Sequence, residues 1–226
     1  MIEAIKVAKE YWTETGRVRA VDGISLTVLP GQRIGVLGDN GSGKSTLIRL
    51  VGGVELPTSG KIIRQMSVSW PLAYRGGLHQ DLSGYSNLRF LSRIYDRAYD
   101  DLCAYVEDFT ELGNRLKDPV YTYSAGMRAK LSFAVSFAIE FDCYLIDEII
   151  AVGDQRFRRK CREELFEKRH DRALLMVSHQ FATIEQACDI GILIKEGRHV
   201  DTFDIKADHK WRQYAKRERN ARQLQS

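Results

Sequence analysis

No apolar run in the 226 residues approaches the ~18–20 that a membrane-spanning helix requires. The N-terminus, Met1-Ile2-Glu3-Ala4, lacks the basic stretch and apolar segment of a secretory signal, so the protein is expected to stay in the cytoplasm. Cysteine is sparse and scattered. Cys103, Cys143, Cys161 and Cys188 form no CxxC pair, which argues against a metal site or a disulfide framework and for reduced, structural thiols. There are no internal repeats and no low-complexity linkers, so one core, or one core with an inserted subdomain, accounts for the length. A basic body is missing too. The net charge is +4, yet residues 206–226 hold seven basic residues against two acidic ones, which leaves the rest of the chain at −1. The body is therefore no nucleic-acid binder with a charged face. What remains is ordinary soluble composition, 44% hydrophobic and 28% charged.

The first forty residues read as short strands, Ile5-Lys6-Val7, Ile24–Val28 and Arg33–Leu37, followed by a glycine-rich turn and a helix from Lys44. Pro57, Ser59 and Gly60 punctuate the return to two further strands near 61–63 and 67–70. From about Pro71 the chain turns rich in Tyr, Leu, Asp and Arg and reads as helices, an inserted subdomain over 71–139. Strand pattern resumes at Cys143-Tyr144-Leu145-Ile146. A helix near 155–169, a strand at 173–177, a short helix at 180–188 and strands at 190–194 and 199–203 follow. The last twenty residues look like a charged helix. Alternating strands and helices predict an α/β fold with a mostly parallel sheet. The expected division is a core of 1–70 and 140–205, a helical subdomain of 71–139 and a basic tail of 206–226.

Gly38-Asp39-Asn40-Gly41-Ser42-Gly43-Lys44-Ser45 fits GxxxxGK[ST] at every position, between a strand and a helix. Glycines let successive backbone N–H groups turn inward around phosphates, and the helix N-terminus adds positive partial charge. Lys44 reaches the β- and γ-phosphates, and the Ser45 hydroxyl is a Mg²⁺ ligand. The strand 143–146 ends in Asp147-Glu148. Asp147 is placed to hold Mg²⁺, and Glu148 to polarise an attacking water. His179, after the apolar run 174–177, is placed to sense a γ-phosphate and steady the water and Glu148.

Tyr123-Ser124-Ala125-Gly126-Met127 opens an apolar helix with Ser124 as N-cap. In order, the phosphate loop, this segment, Asp147-Glu148 and His179 resemble the ABC ATPases, with 123–127 in the slot of the signature usually read LSGGQ. The resemblance implies a P-loop NTPase core with an N-terminal antiparallel β part and the helical insert. It also implies ATP and Mg²⁺ as cofactors, Thr46 beside the loop as a nucleotide contact, and Tyr11 as the aromatic that stacks on adenine. Two subunits would meet head to tail as an ATP-dependent homodimer, with Ser124 and Gly126 reaching the partner's γ-phosphate and 151–154 forming the D-loop along the interface. The family's glutamine before the helical subdomain has no match in Val68–Tyr74, and Gln80 comes late.

Ser69-Trp70-Pro71, Gly76-Gly77, the stretch 82–90, the variant signature and Met176-Val177-Ser178-His179 are similar to exporters of capsular polysaccharide, O-antigen and teichoic acid. This implies a peripheral subunit on the cytoplasmic face of an inner membrane, beneath an integral permease, in a complex that handles polysaccharide. Some O-antigen exporters add a C-terminal carbohydrate-binding domain, and a chain ending at Ser226 favours capsule export. The alternative within the family is a non-transport ATPase that regulates a cell-envelope complex. Trp211 and Tyr214 interleave with the basic residues of the tail, which suits a nucleic-acid or acidic-lipid contact. A solvated helix near an anionic membrane is the preferred reading, with no nucleic acid expected.

Overall fold

The computed structural model describes residues 1–72, 77–147, 154–178, 181–209, 211 and 213. They form two compact units. The first comprises Met1–Val68, 142–148 and 172–226, and the second 69–141 and 149–171.

The first unit opens with a long hairpin, β1 (Ile2–Thr13) and β2 (Gly16–Val28), joined by β4 (Ser59–Arg64) in an antiparallel sheet of order β2-β1-β4. The strands run further than the short segments at 5–7 and 24–28 expected from the sequence. The charged middle is held in register by cross-strand pairing, in which Glu10 accepts from Arg17 and, at 2.8 Å, from Arg19 Nε. The main sheet contains β3 (Arg33–Leu37), β5 (Val68–Pro71), β6 (Cys143–Asp147), β7 (Ala173–Val177), β8 (Ile190–Lys195) and β9 (Arg198–Asp204), in the order β5-β6-β7-β3-β8-β9. Its centre is parallel, β6 with β7 and β3 with both β7 and β8, and the β8–β9 pair is antiparallel. Every residue of β3 and β7 is buried. That is why β7 and, after Arg33, β3 are continuous apolar runs: a parallel sheet is covered on both faces. Helices α1 (Lys44–Val51) and α6 (Phe181–Ala187) belong to this unit, and Leu47, Ile48, Leu50 and Val51 of α1 join the core.

Trp211 is 1% exposed. Its ring lies over Gly191 and against Phe181 and Phe203, and Nε1 donates to Glu185 Oε1 at 3.3 Å. At this residue neither the nucleic-acid or acidic-lipid contact nor the preferred solvated helix holds. An indole flanked by Phe181 and Phe203 is a core side chain, because its apolar area outweighs its charged neighbours in sequence.

The second unit carries α2 (Gly84–Ile94), α3 (Tyr99–Thr110), two short 3₁₀ turns, α4 (Ala125–Ile139) and α5 (Gln155–Arg162), which continues as a π-helical turn over Glu163–Lys168. α4 is apolar on nearly all sides beyond its first turn and is buried accordingly. α5, assigned to the core from sequence, packs in this unit, because Phe157 meets Phe109 and Phe133 edge-on at 5.4 and 6.0 Å. Cys143, Cys161 and Cys188 are buried, and burial pushes the thiols of Cys143 and Cys188 up to about 12, so they stay protonated.

Candidate nucleotide site

Strand register brings the site together. Asp147, the last residue of β6, pairs with Val177 of β7, and Val177 pairs with Val36 of β3. The three carboxyl ends thus stand level, at the edge where open α/β sheets bind ligands. From β3 the chain passes directly into the loop 38–43 and then α1. Ser45 Oγ donates to Asp147 Oδ1 at 3.0 Å, joining the first turn of α1 to the end of β6.

The loop's glycines are required by its path. Gly38 (φ 143°) and Gly43 (φ 99°) lie in the left-handed half of backbone space. A Cβ on Gly38 would come within 2.1 Å of the Ile194 carbonyl, and one on Gly43 within 2.1 Å of the Ala20 carbonyl. The turn between β8 and β9 supports the loop from below, where Gly197 N–H donates to the Ser42 carbonyl at 3.1 Å. Lys44 Nζ donates to the carbonyls of Gly38 (2.8 Å) and Asp39 (2.6 Å), so its charge lies inside the curl of the loop. A cleft of about 320 Å³ opens here, lined by Ala20, Asn40, Gly41, Gly43, Lys44, Ser45, Thr46 and Val177. The structure therefore brings together the predicted residues 38–46 and Asp147. Ala20 and Val177 are additions that no sequence motif marks.

Tyr11 stands on β1, and its hydroxyl donates to Glu55 Oε2 at 2.5 Å. Arg49 bridges this tyrosine to the phosphate helix, donating to Glu55 Oε1 (2.6 Å), Tyr11 Oη (3.4 Å) and Thr46 Oγ1 (3.3 Å). Glu55 and Arg49 were not signalled by any motif. Glu148, His179 and 151–153 lie outside the described residues.

In the second unit, Ser124 caps α4 by accepting from Met127 N–H at 3.2 Å, as its position in the sequence predicts. Gly126 sits in the first turn of that helix. The nearest atom to a Cβ placed on it would be Ser124 Oγ at 3.9 Å, so nothing among the described residues requires glycine there. Asp154 caps α5 through Phe157 N–H at 2.9 Å and takes a second bond from Lys130 Nζ at 3.0 Å. The bond from the Phe157 amide, then that from Lys130, holds its carboxyl below the usual range.

Comparison with known proteins shows the family. The family model described as ABC transporter matches residues 21–151. The capsule polysaccharide export ATP-binding protein CtrD of Neisseria meningitidis serogroup B is 51% identical over 204 residues, covering 90% of this chain and 94% of that protein. The ATP-binding protein BexA of Haemophilus influenzae is 48% identical over 206 residues, covering 90% and 95%. In fold, the chain is similar to the dimeric post-hydrolysis structure of the ATP-binding cassette MJ0796 bound to ADP and Pi. The TM-score is 0.76 at 16% identity, over 92% of this chain and all of that one. With the phosphate loop, the Ser45–Asp147 contact and these likenesses in hand, the chain is a member of the ABC transporter family.

Proposed function

We propose that this chain is the ATP-binding and ATP-hydrolysing subunit of an exporter of capsular or related polysaccharide. The observation that carries the catalytic half is the Ser45–Asp147 contact beside an anion-binding loop. A hydroxyl and a carboxylate at that place are the hard oxygen donors Mg²⁺ takes together with phosphate oxygens. Mg²⁺ held there by Ser45 and Asp147 would supply charge neutralisation at the phosphates. Lys44 contributes a compact positive charge, and the inward N–H groups of the loop hold the phosphates in place. Glu148 orients the attacking water and accepts its proton, and His179 steadies that pair. Tyr11 offers its ring face to adenine.

Ser124 and Gly126 serve a second copy of the chain, head to tail. Glycine at 126, unneeded for any contact among the described residues, supports an approach from outside. The cargo reading is supported by CtrD, named for capsule polysaccharide export, whose similarity runs over nearly its full length. No helix among the described residues is long and apolar enough to cross a membrane. A subunit of an export system such as that named for CtrD works with a separate integral permease, and this chain is peripheral on its cytoplasmic side.

The test is a pull-down of Glu148→Gln, loaded with ATP, from detergent-solubilised membranes of the native host. Recovery of a multi-helix permease together with capsule-assembly proteins is expected. Recovery of a cell-division or cell-wall membrane protein instead would overturn the export half. A variant that stays monomeric on size exclusion in saturating MgATP would overturn the head-to-tail half.

A further inference from the structure

We infer that Glu55 and Arg49 are positioning residues that hold the Tyr11 ring ready for the nucleobase, so that base affinity is set by a pair outside the phosphate loop's own motif. The inference rests on the reading of Tyr11 as the base-stacking ring.

Four contacts close a small network. Tyr11 Oη donates to one Glu55 oxygen at 2.5 Å, Arg49 Nε donates to the other at 2.6 Å, and Arg49 Nη2 donates back to Tyr11 Oη at 3.4 Å. The same Arg49 nitrogen reaches Thr46 Oγ1 at 3.3 Å, in the first turn of α1 beside the loop. Lys9 completes the frame. Its ammonium lies 5.3 Å from the centre of the Tyr11 ring, donates to the Leu56 carbonyl at 2.9 Å and stands 3.6 Å from Glu55 Oε2. Burial pushes the Glu55 carboxyl up, but its bonds to Tyr11 and Arg49 outweigh this and leave it lowered, so the acceptor is ionised at neutral pH.

A free tyrosine would lose rotational freedom on stacking, and that loss weakens binding. Here the hydroxyl is tied at the far end of the ring and a cation lies over one face, so the ring is oriented before a base arrives. The frame is also attached to the helix that presents the phosphate loop, so base platform and loop share one support. Tyr11 and Glu55 are 44 positions apart, and Tyr11 and Arg49 are 38 apart, which is why no local motif announces the arrangement.

The experiment uses the full chain, with calorimetric titration of ATP and, separately, of inorganic tripolyphosphate, which engages the loop alone. Glu55→Ala should weaken ATP roughly three- to tenfold, the range of a coupled contact, and leave tripolyphosphate unchanged. Glu55→Gln, which keeps an acceptor, should recover most of the loss. In a Tyr11→Phe background, Glu55→Ala should add nothing further. Unchanged ATP affinity in Glu55→Ala, equal weakening of both ligands, or full additivity with Tyr11→Phe would each overturn the inference. Tyr11→Ala separates the two levels. If it leaves ATP affinity intact, the stacking reading itself falls. If it weakens ATP while Glu55→Ala is silent, only the positioning role falls.

Discussion

Ser45 Oγ and Asp147 Oδ1 stand 3.0 Å apart although 102 positions separate them. The parallel register closes that distance, since Asp147, Val177 and Val36 lie level across three neighbouring strands. Asp147→Asn keeps an acceptor oxygen for Ser45, so the fold should hold, but it removes the charge a divalent cation requires. Phosphate release with MgATP should fall roughly a hundredfold or more, the scale of losing one electrostatic stabiliser. The melting temperature should move little, and ATP binding without Mg²⁺ should persist.

Gly43 and Gly126 should respond oppositely to the same change. Gly43→Ala puts a methyl group 2.1 Å from the Ala20 carbonyl at φ 99°, so it should destabilise the chain by about 1–3 kcal/mol and abolish nucleotide binding. Gly126→Ala enters open space on a helix, where alanine is the better helix former, and stability should be unchanged or rise by up to about 1 kcal/mol. Turnover should nevertheless fall. Thermal melts beside phosphate release separate the two cases, and a melting loss at Gly126→Ala would contradict the account of that turn.

Glu164 gives the second unit a pH signature. It is buried and accepts from Lys168 Nζ at 2.7 Å and from Arg169, whose Nη2 also holds the Phe137 carbonyl at 3.1 Å. Burial pushes the carboxyl up, but the bonds from Lys168 and Arg169 outweigh it, so its folded value lies below the ordinary 4.5. A lowered carboxylate stabilises the fold above 4.5, and that contribution is lost as pH falls through the folded value. Glu164→Gln should therefore cost about 1.5–3 kcal/mol at neutral pH. Denaturant titrations of the two proteins should converge as pH drops below 4.5, and a gap that widens in acid would refute the assignment.

The phosphate loop was legible because eight consecutive residues build it and their glycines answer to local backbone geometry. Asp147 was legible because a buried apolar run ends on it. The hairpin was not: residues 9–22 carry Lys9, Glu10, Arg17, Arg19 and Asp22, which read as loop until Glu10 meets Arg17 and Arg19 across the strands. The side of the chain on which α5 packs was hidden for a related reason. Phe157 signals an apolar face, but only the fold says that the face meets Phe109 and Phe133. The partners of Tyr11 and the burial of Trp211 depend likewise on long-range contacts that periodicity does not carry.

The seating of Trp211 has a practical bearing on how the protein is handled. Its indole fills a hollow floored by Gly191 and walled by Phe181 and Phe203. A stop codon or protease site introduced ahead of position 211 would empty that hollow, a loss of about 3–5 kcal/mol for a buried aromatic. The vacated apolar surface would invite aggregation during purification. Affinity tags and trimmed termini belong downstream of this residue, which in effect acts as the stopper of the first unit.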